Sequence, residues 1–235
     1  MENEHRQSEP KMENIPTINK TITPEQLEEK RKELYKKSIS SNLLNLPIRF
    51  KDKTIELFEG KKEVVNLALS ALNRKRGLYL FGKCGTGKTH LACGLLTHFF
   101  AKDIYVKQYK QGDGVVEFIH EPSPADFVFL LSSEFFLEIK QGFNEGVSES
   151  KILNKYTGRK LLVIDDIGAD SVSDWSRQLF YVLIDRLYRN MDKVIITSNF
   201  DLEAISNGID DRIASRIVEM CEIINLGSRD KRVNP

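Results

Sequence analysis

The chain has 235 residues, of which 40% are hydrophobic and 29% charged, and its formal net charge is +1. This length suits one well-cored globular domain with a short appendage, and the near-neutral charge excludes a general field that draws the protein to DNA or acidic membranes. We expect a cytoplasmic protein without membrane contact, because no apolar run approaches the roughly 18 residues of a membrane span and an odd number of cysteines without paired spacing indicates a reducing compartment. The three scattered cysteines also form no zinc-type cluster.

Residues 1–45 are predicted to form a flexible N-terminal arm with one amphipathic helix. The stretch TPEQLEEKRKELYKKSI, residues 23–39, begins with a T-x-x-Q capping box made by Thr23 and Gln26. Its narrow apolar stripe consists of Leu27, Leu34 and Tyr35. The helix therefore either lies on the main domain or offers a seam to a partner, and we expect partner docking here.

Residues 46–235 are predicted to form the main domain. Short apolar segments alternate with helical ones, which is typical of a parallel α/β sheet covered on both faces. The predicted strands are 77–81, 126–132, 161–165, 193–198 and 221–226. Residues 103–120 contain two alternating runs around Gly-Asp-Gly, which predicts a β-hairpin at the sheet's edge that is a surface elaboration without an assigned role.

The stretch GKCGTGKTH fits the phosphate-loop pattern G-x-x-x-x-G-K-[ST]. Glycines let backbone N–H groups converge on phosphates, the helix N-terminus adds partial positive charge, and Lys88 meets the β- and γ-phosphates. A chance glycine-rich turn is the alternative, which the apolar strand before the loop and the helix after it disfavour. The predicted ATP-binding residues here are Gly82, Lys83, Cys84, Gly85, Thr86, Gly87, Lys88, Thr89 and His90.

Two further polar segments follow apolar strands. In LLVIDDIGAD, burial of the Asp165 carboxylate at the end of a strand costs free energy unless a cation lies beside it. This predicts an Mg²⁺ ion held by Asp165 and the Thr89 hydroxyl. Asp166 is predicted to polarise the attacking water, with a helix-capping or structural role as the alternative. In KVIITSNF, Asn199 is predicted to bind the γ-phosphate or orient the water, although Ser-Asn is also common turn chemistry.

Four stretches, taken together and in their order along the chain, resemble the AAA+ ATPases, and within them the replicative helicase loaders of the DnaC/DnaI type and the transposition helper IstB. These stretches are GKCGTGKTHLA, LLVIDDIGAD, IITSNF and DRIASRIVEMC. The resemblance covers about residues 46–235. It implies a P-loop fold with a parallel five-stranded sheet flanked by helices, ATP and Mg²⁺ as cofactors, and no C-terminal helical lid. The acidic pair departs from the Asp-Glu of many members, and the shorter Asp166 suggests slow turnover.

The resemblance also implies roles by position. Asn199 takes the place of the sensor-1 residue, and Arg232 that of the sensor-2 arginine, with Arg229 close enough to confuse the register. Arg216 takes the place of the arginine finger that reaches the ATP of a neighbouring subunit, with Arg212 as the second candidate. Self-association through the ATP sites follows from this assignment.

A simpler interpretation of the two helical arginines remains open. Arg212 and Arg216 are four residues apart, so they could share one solvated helix face with Asp211 and Glu219 as their ion-pair partners.

The corresponding loader segments line an inner surface and grip single-stranded DNA. Here they contain Lys140 with Phe143 and Ser173 with Trp175. An aromatic side chain can stack on any base while a lysine meets a phosphate, so these four residues are the predicted DNA contacts. The alternative is that both aromatic side chains belong to the core.

The favoured function is an ATP-dependent loader that holds a hexameric replicative DNA helicase and delivers it onto single-stranded DNA. An IstB-like helper that acts on duplex DNA with a transposase is the main alternative. A small-molecule kinase ranks last because no arginine-rich lid lies between the acidic strand and TSN. A pseudo-ATPase that serves as an ATP-gated adaptor is the fourth possibility.

Overall fold

Residues 22–40, 44–111, 114–168 and 174–227 are described by the structure, which is a computed structural model. Its strands are β1 (Gly77–Phe81), β2 (Tyr105–Gln111), β3 (Gly114–His120), β4 (Phe127–Leu131), β5 (Leu161–Ile167), β6 (Val194–Ser198) and β7 (Cys221–Asn225). Five of them form a parallel sheet in the order β4-β5-β6-β1-β7. The five strands predicted from apolar runs are therefore confirmed; β1 has the predicted bounds, and the ends of the others shift by at most two residues.

Helices cover both faces of this sheet. They are α1 (Pro24–Ser40), α2 (Lys62–Asn73), α3 (Lys88–Lys102), α4 (Ser132–Asn144), α5 (Glu149–Leu153), α6 (Asp174–Asn190), α7 (Leu202–Gly208) and α8 (Asp211–Met220), with 3₁₀ turns at Ile48–Phe50 and Pro124–Asp126. Among the described residues, no helix combines the length and the apolar character that a bilayer crossing requires.

Alternation along the strands divides the interior into two cores. Leu78, Leu80 and Ile195 pack with the apolar faces of α2 and α3. Tyr79 and Ile196, one residue away, pack on the opposite side with α4 to α8. Both faces of the central strands are buried, which explains why their sequences are almost uninterrupted apolar runs.

The residues 103–120 do contain a hairpin. β2 and β3 pair antiparallel from Tyr105 with His120 to Gln111 with Gly114. The predicted position at the edge of the main sheet is wrong, because the two strands form a sheet of their own. Residues 112 and 113 of the predicted turn lie outside the described residues.

Helix α1 begins with the predicted capping box. The backbone N–H of Gln26 donates to the Thr23 hydroxyl (3.3 Å), and that of Thr23 donates to the Gln26 side chain (2.9 Å). The helix lies on the main domain, where Leu34 is buried and Arg31 Nε donates to the Ile104 carbonyl at 3.0 Å. Docking of a partner on its outer face remains a prediction, as does a domain boundary at residue 45.

Candidate nucleotide-binding site

The loop between β1 and α3 depends on backbone conformations that glycine adopts readily. Gly82 and Gly87 have φ values of 148° and 94°. A Cβ on Gly82 would lie 2.7 Å from the carbonyl oxygen of Gly227, which is two residues beyond the end of β7. The sequence pattern is thus explained by local geometry, and the chain after β7 packs against the loop.

Lys88, the first residue of α3, is held in this loop by three oxygen acceptors. Its Nζ donates to the carbonyls of Gly82 (2.8 Å) and Lys83 (3.0 Å) and to Oδ1 of Asn199 (2.7 Å). The side chain is buried at the N-terminal end of a helix, where partial positive charge already favours anions. The ammonium group is therefore placed for phosphate oxygens.

Asp165 is buried near the end of β5 and is bound by two hydroxyl groups. Thr89 Oγ1 lies 3.0 and 3.1 Å from the two carboxylate oxygens, and Thr197 Oγ1 donates to Oδ1 at 2.6 Å. Burial raises the pKa of Asp165, while the hydrogen bonds from Thr197 and Thr89 oppose this effect. A cation would compensate the buried charge, and a hydroxyl with a carboxylate is a suitable oxygen donor set for Mg²⁺, so these residues fit the metal.

Asp166 occupies an interruption in the pairing of β5 with β6, between Ile164 and Ile167. Its φ of 61° is unusual for a residue with a side chain, and it is fixed by neighbours. The Asp166 N–H donates to Thr197 Oγ1 (2.9 Å), and its carbonyl accepts from Ser132 Oγ (2.9 Å). Asp166 lies inside a strand, which excludes the helix-capping alternative.

Asn199, which directly follows the last residue of β6, connects the two halves of the site. While its Oδ1 accepts from Lys88, its Nδ2 donates to Oδ1 of Asp166 at 3.0 Å. The exposed thiol of Cys84 also lies 3.6 Å from Asn199 Oδ1. The fold therefore brings together five of the predicted site residues, namely Lys88, Thr89, Asp165, Asp166 and Asn199.

The remaining predicted ATP-binding residues are placed differently from one another. Lys83 is exposed, and Thr86 is buried with its hydroxyl donating to the Lys83 carbonyl at 3.0 Å. His90 faces away from the loop, with Nε2 3.0 Å from the Thr54 carbonyl and its ring edge-on to Phe58. Arg232 lies outside the described residues, as does Arg229.

A cleft of about 310 Å³ adjoins the loop. Its lining comes from β1, from the segment after β6 and from the end of β7, with Gly82, Lys83, Asn199, Asp201, Asn225 and Gly227 among its residues. The cleft lies at the carboxyl ends of the parallel strands, where α/β proteins bind ligands.

Arg216 is bound to the neighbouring helix rather than to its own. Its Nε donates to Asp185 on α6 at 3.2 Å, and its guanidinium lies 4.7 Å from the centre of the Tyr188 ring. The ion pair with Glu219 that the simpler interpretation proposed is wrong, because Glu219 accepts from the Tyr188 hydroxyl instead at 2.8 Å.

Arg212 is likewise bound by a residue that the helix-face argument missed. Its side chain makes two hydrogen bonds to Asp210, at 3.0 and 2.7 Å, and lies over the Tyr181 ring. The partner is Asp210 and not Asp211, because Asp210 caps α8 and its carboxylate also accepts from the Arg212 N–H. The partners of both arginines therefore come from a helix cap and from the adjacent helix, which lie outside the face that α8 itself presents.

The predicted DNA contacts lie on the surface. Phe143 is 72% exposed at the end of α4, beside the exposed Lys140, so it is not a core residue. Trp175 is 40% exposed in the first turn of α6. Ser173 lies outside the described residues. DNA binding by these positions stays a prediction.

Two residues of the site were not found from the sequence. Thr197 is fully buried and contacts both acids, and Ser132 holds the backbone of Asp166. A polar Thr-Ser pair at the end of the otherwise apolar β6 was the available signal for Thr197. Ser132 follows β4 without any distinguishing pattern.

Comparisons with known proteins agree with this architecture. The family described as IstB-like ATP binding protein matches residues 125–234. The chromosomal replication initiator protein DnaA of Onion yellows phytoplasma (strain OY-M) is 30% identical over 141 residues, which are 59% of this chain and 24% of that protein. The replicative helicase loader DnaI of Bacillus subtilis (strain 168) is 27% identical over 134 residues, 56% of this chain and 36% of DnaI.

Solved structures show the same fold. The crystal structure of the DnaC helicase loader has a TM-score of 0.57 and 24% identity, covering 75% of this chain and 98% of that one. A structure of the replication initiator DnaA bound to AMPPCP and single-stranded DNA has a TM-score of 0.56 and 21% identity, covering 77% of this chain and 50% of that one.

These similarities confirm the fold class predicted from the sequence, a P-loop architecture of the AAA+ type, and the resemblance to DnaC, DnaI and IstB-like proteins. The chain spans only 24% to 36% of the length of the two curated relatives.

Proposed function

From this AAA+ architecture, we propose that the protein is an ATP-dependent helicase loader. It would bind a hexameric replicative helicase and single-stranded DNA in the initiation of replication, with ATP hydrolysis dependent on assembly. The observation that carries the proposal is the connected set Lys88–Asn199–Asp166, next to Thr89–Asp165. The names of DnaI and DnaC as helicase loaders support the biological role.

Each side chain has a defined task in hydrolysis. Lys88 exchanges its carbonyl acceptors for phosphate oxygens and stabilises their charge. Asp166 and Asn199 orient the attacking water from one side, since the amide already fixes the carboxylate. Thr89 and Asp165 would hold Mg²⁺, which when bound supplies charge neutralisation at the phosphates.

Dependence on assembly is attributed to Arg216. A guanidinium supplied by a neighbouring subunit can stabilise charge at the transferred phosphoryl group, and its absence leaves a single subunit slow. In one chain Arg216, on α8, is held by Asp185 and Tyr188 of α6. Its side chain is 31% exposed, so a neighbouring subunit can approach it.

The test of loading is co-purification with the helicase. Tagged protein is expressed in its host and recovered with ATP, and a ring-shaped replicative helicase is expected among the proteins that it retains. Deletion of residues 23–39 should abolish the complex and spare ATP binding. Because α1 packs on α3 and Leu34 of α1 is buried, a gentler variant is needed alongside the deletion.

That variant reverses charges on the outer face of α1. Glu29 and Lys36 are both exposed, so Glu29→Lys with Lys36→Glu leaves the packing and the net charge unchanged. Loss of the helicase with an unchanged unfolding temperature supports docking through α1. A complex that survives both variants rejects docking through this helix.

The match to the IstB-like family favours one alternative, a transposition helper that acts on duplex DNA with a transposase. Affinities for duplex and single-stranded oligonucleotides of equal length separate the two functions. The loader prefers the single strand and the helper prefers the duplex. Nucleotide binding without measurable hydrolysis in the assembled state would instead indicate an ATP-gated adaptor.

A further inference from the structure

A cationic cleft lies on the edge of the sheet opposite the nucleotide site. Its volume is about 480 Å³, and it is bordered by the segments that lead into β1, β5 and β6 and by the end of α3. Five cationic side chains line it, namely Lys75, Lys102, Arg159, Lys160 and Lys193. For a chain with a net charge of +1, this concentration of positive charge is a local feature that needs an explanation.

Three of these lysines are close together without matching acids. Lys102 and Lys193 both lie over the Phe99 ring, at 5.7 and 5.1 Å from its centre. Within the described parts of the chain, no carboxylate lies at ion-pair distance from Lys75, Lys102 or Lys193, and Lys102 donates to the Asn73 amide. Burial and then the charges of Lys102 and Lys75 lower the pKa of Lys193, as expected for like charges that converge.

The acids of the cleft are already engaged. Asp103 pairs with Lys160 at 2.7 Å, and Asp192 accepts from the Gly158 N–H at 2.9 Å. Helix C-termini attract cations and explain Lys102 in the last turn of α3, but Lys193 precedes a strand and is not explained in that way. An anion in the cleft would relieve the repulsion among the three lysines.

An aromatic face continues from this cleft along the hairpin. Asp103, which lines the cleft, lies 3.8 Å from His120, whose ring is 4.6 Å from that of Tyr105. Next on the same face, Tyr109 stacks on Phe118 with ring centres 4.9 Å apart. Tyr105 and Tyr109 are 42% and 39% exposed, and Lys107 between them lies over the Tyr109 ring. The segment before α1 contacts the other face of the hairpin, where the Ile22 N–H donates to the Glu117 carboxylate at 2.7 Å.

We propose that the cleft and the aromatic hairpin face form a binding surface for single-stranded nucleic acid, separate from the positions on α4 and α6. Phosphates contact Lys75, Lys102 and Lys193, and unpaired bases pack against Tyr105 and Tyr109. Proteins that bind single strands combine cationic side chains along the phosphate backbone with aromatic side chains on which bases stack. A duplex cannot use the aromatic side chains in this way, because its base faces are already stacked inside the helix. The inference gives a role to the hairpin and rests on the proposed function as a single-strand-handling ATPase.

The test compares three variants of the full chain, each checked for an unchanged unfolding temperature. The cleft variant is Lys75→Gln, Lys102→Gln, Lys193→Gln. The charge-matched control, Arg49→Gln, Lys61→Gln, Lys62→Gln, removes the same charge at exposed positions elsewhere. The aromatic variant is Tyr105→Leu, Tyr109→Leu. Binding of a labelled oligothymidylate is measured by anisotropy with ATP at several salt concentrations.

The cleft variant should lose at least about tenfold in affinity, and the slope of log K against log salt should fall by about 2 for three lost phosphate contacts. The aromatic variant should lose about tenfold with an unchanged slope, since stacking is not a counterion effect. The control should change less than about twofold. Equal losses in the cleft variant and the control overturn the proposal, as does an equal loss of duplex binding.

Parallel measurements separate this inference from the proposed function. If Phe143→Ala and Trp175→Ala weaken single-strand binding while the cleft and aromatic variants do not, the inference fails and the loader stands. If the cleft variant loses single-strand binding but no helicase is recovered and ATP is not hydrolysed, the inference stands and the loader fails.

Discussion

Asn199 Oδ1 lies 2.7 Å from Nζ of Lys88, and the same amide donates to Asp166 through Nδ2 at 3.0 Å. One side chain therefore fixes the cation expected to bind phosphate and the acid expected to orient water. The positions of both charged groups depend on this amide, which follows β6, whereas Lys88 and Asp166 come from α3 and β5.

Replacement of Asn199 by Ala should lower ATP hydrolysis by about 10²-fold, the scale of removing one oriented polar group at a reacting centre. Nucleotide affinity should change less than about threefold, because the loop glycines and Lys88 remain. Steady-state hydrolysis and equilibrium binding of a fluorescent ATP analogue measure the two effects. Asn207→Ala, at an exposed position on α7, is the control and should change neither. An unchanged rate in Asn199→Ala contradicts the role.

Asp165→Asn should abolish hydrolysis and stabilise the nucleotide-free fold at high pH. Since burial raises the pKa of Asp165, the ionised carboxylate costs folding energy above that pKa, and the cost vanishes at low pH where the group is protonated. Asparagine keeps an oxygen acceptor for Thr197 without the charge. The variant's unfolding temperature should exceed that of the wild type by about 2–4 °C at pH 8, for a gain of about 1 kcal/mol, and by less at pH 5.

Thermal unfolding is measured without Mg²⁺, because the metal would stabilise the wild type alone. A variant that is less stable than the wild type at pH 8 would show that Asp165 is compensated in the apo fold, which contradicts the argument from burial.

The sequence predicts the elements of this site better than their contacts. The phosphate loop, the acidic strand and Asn199 were found because their spacing reflects local backbone geometry and strand ends. The partners of Arg212 and Arg216 were not found, because Asp210 and Asp185 are brought near them by a cap and by the packing of α6 on α8. Thr197 was missed because a polar pair at the end of an apolar strand does not show which groups of the neighbouring strand its hydroxyl contacts. The separate hairpin sheet depends on tertiary packing that alternation alone does not encode.

Arg216→Ala should leave ATP binding unchanged and lower assembly-dependent hydrolysis by on the order of 10³-fold, the contribution expected of an arginine supplied by a neighbour. Loss of the ion pair with the partly exposed Asp185 should cost little stability. Hydrolysis is measured as a function of protein concentration, where the wild type should show a rise in specific activity that the variant lacks.

Arg212→Ala is the matched control, since Arg212 is on the same helix and also stacks on a tyrosine of α6. It should retain the concentration-dependent rise. If the effects are reversed between the two variants, Arg212 is the finger; if neither variant loses activity, no arginine of α8 has this role.

Alkylation of Cys84 should block ATP binding. Its thiol is exposed in the phosphate loop and lies 3.6 Å from Asn199 Oδ1, so an added group would occupy the space in front of Lys88. Cys93 and Cys221 are buried, and burial raises the pKa of both thiols, which leaves little reactive thiolate at pH 8. Treatment with N-ethylmaleimide should therefore add one group per chain, with loss of nucleotide affinity of at least about tenfold.

Bound ATP should protect Cys84 from the reagent, and Cys84→Ala should bind ATP normally before and after treatment. Mass spectrometry locates the modified residue, and fluorescence of an ATP analogue reports binding. Both are needed because modification of a buried thiol would unfold the protein and lower binding for another reason. If Cys84 is modified fully and affinity is unchanged, the triphosphate does not lie over this part of the loop, and the position assigned to its phosphates near Lys88 is wrong.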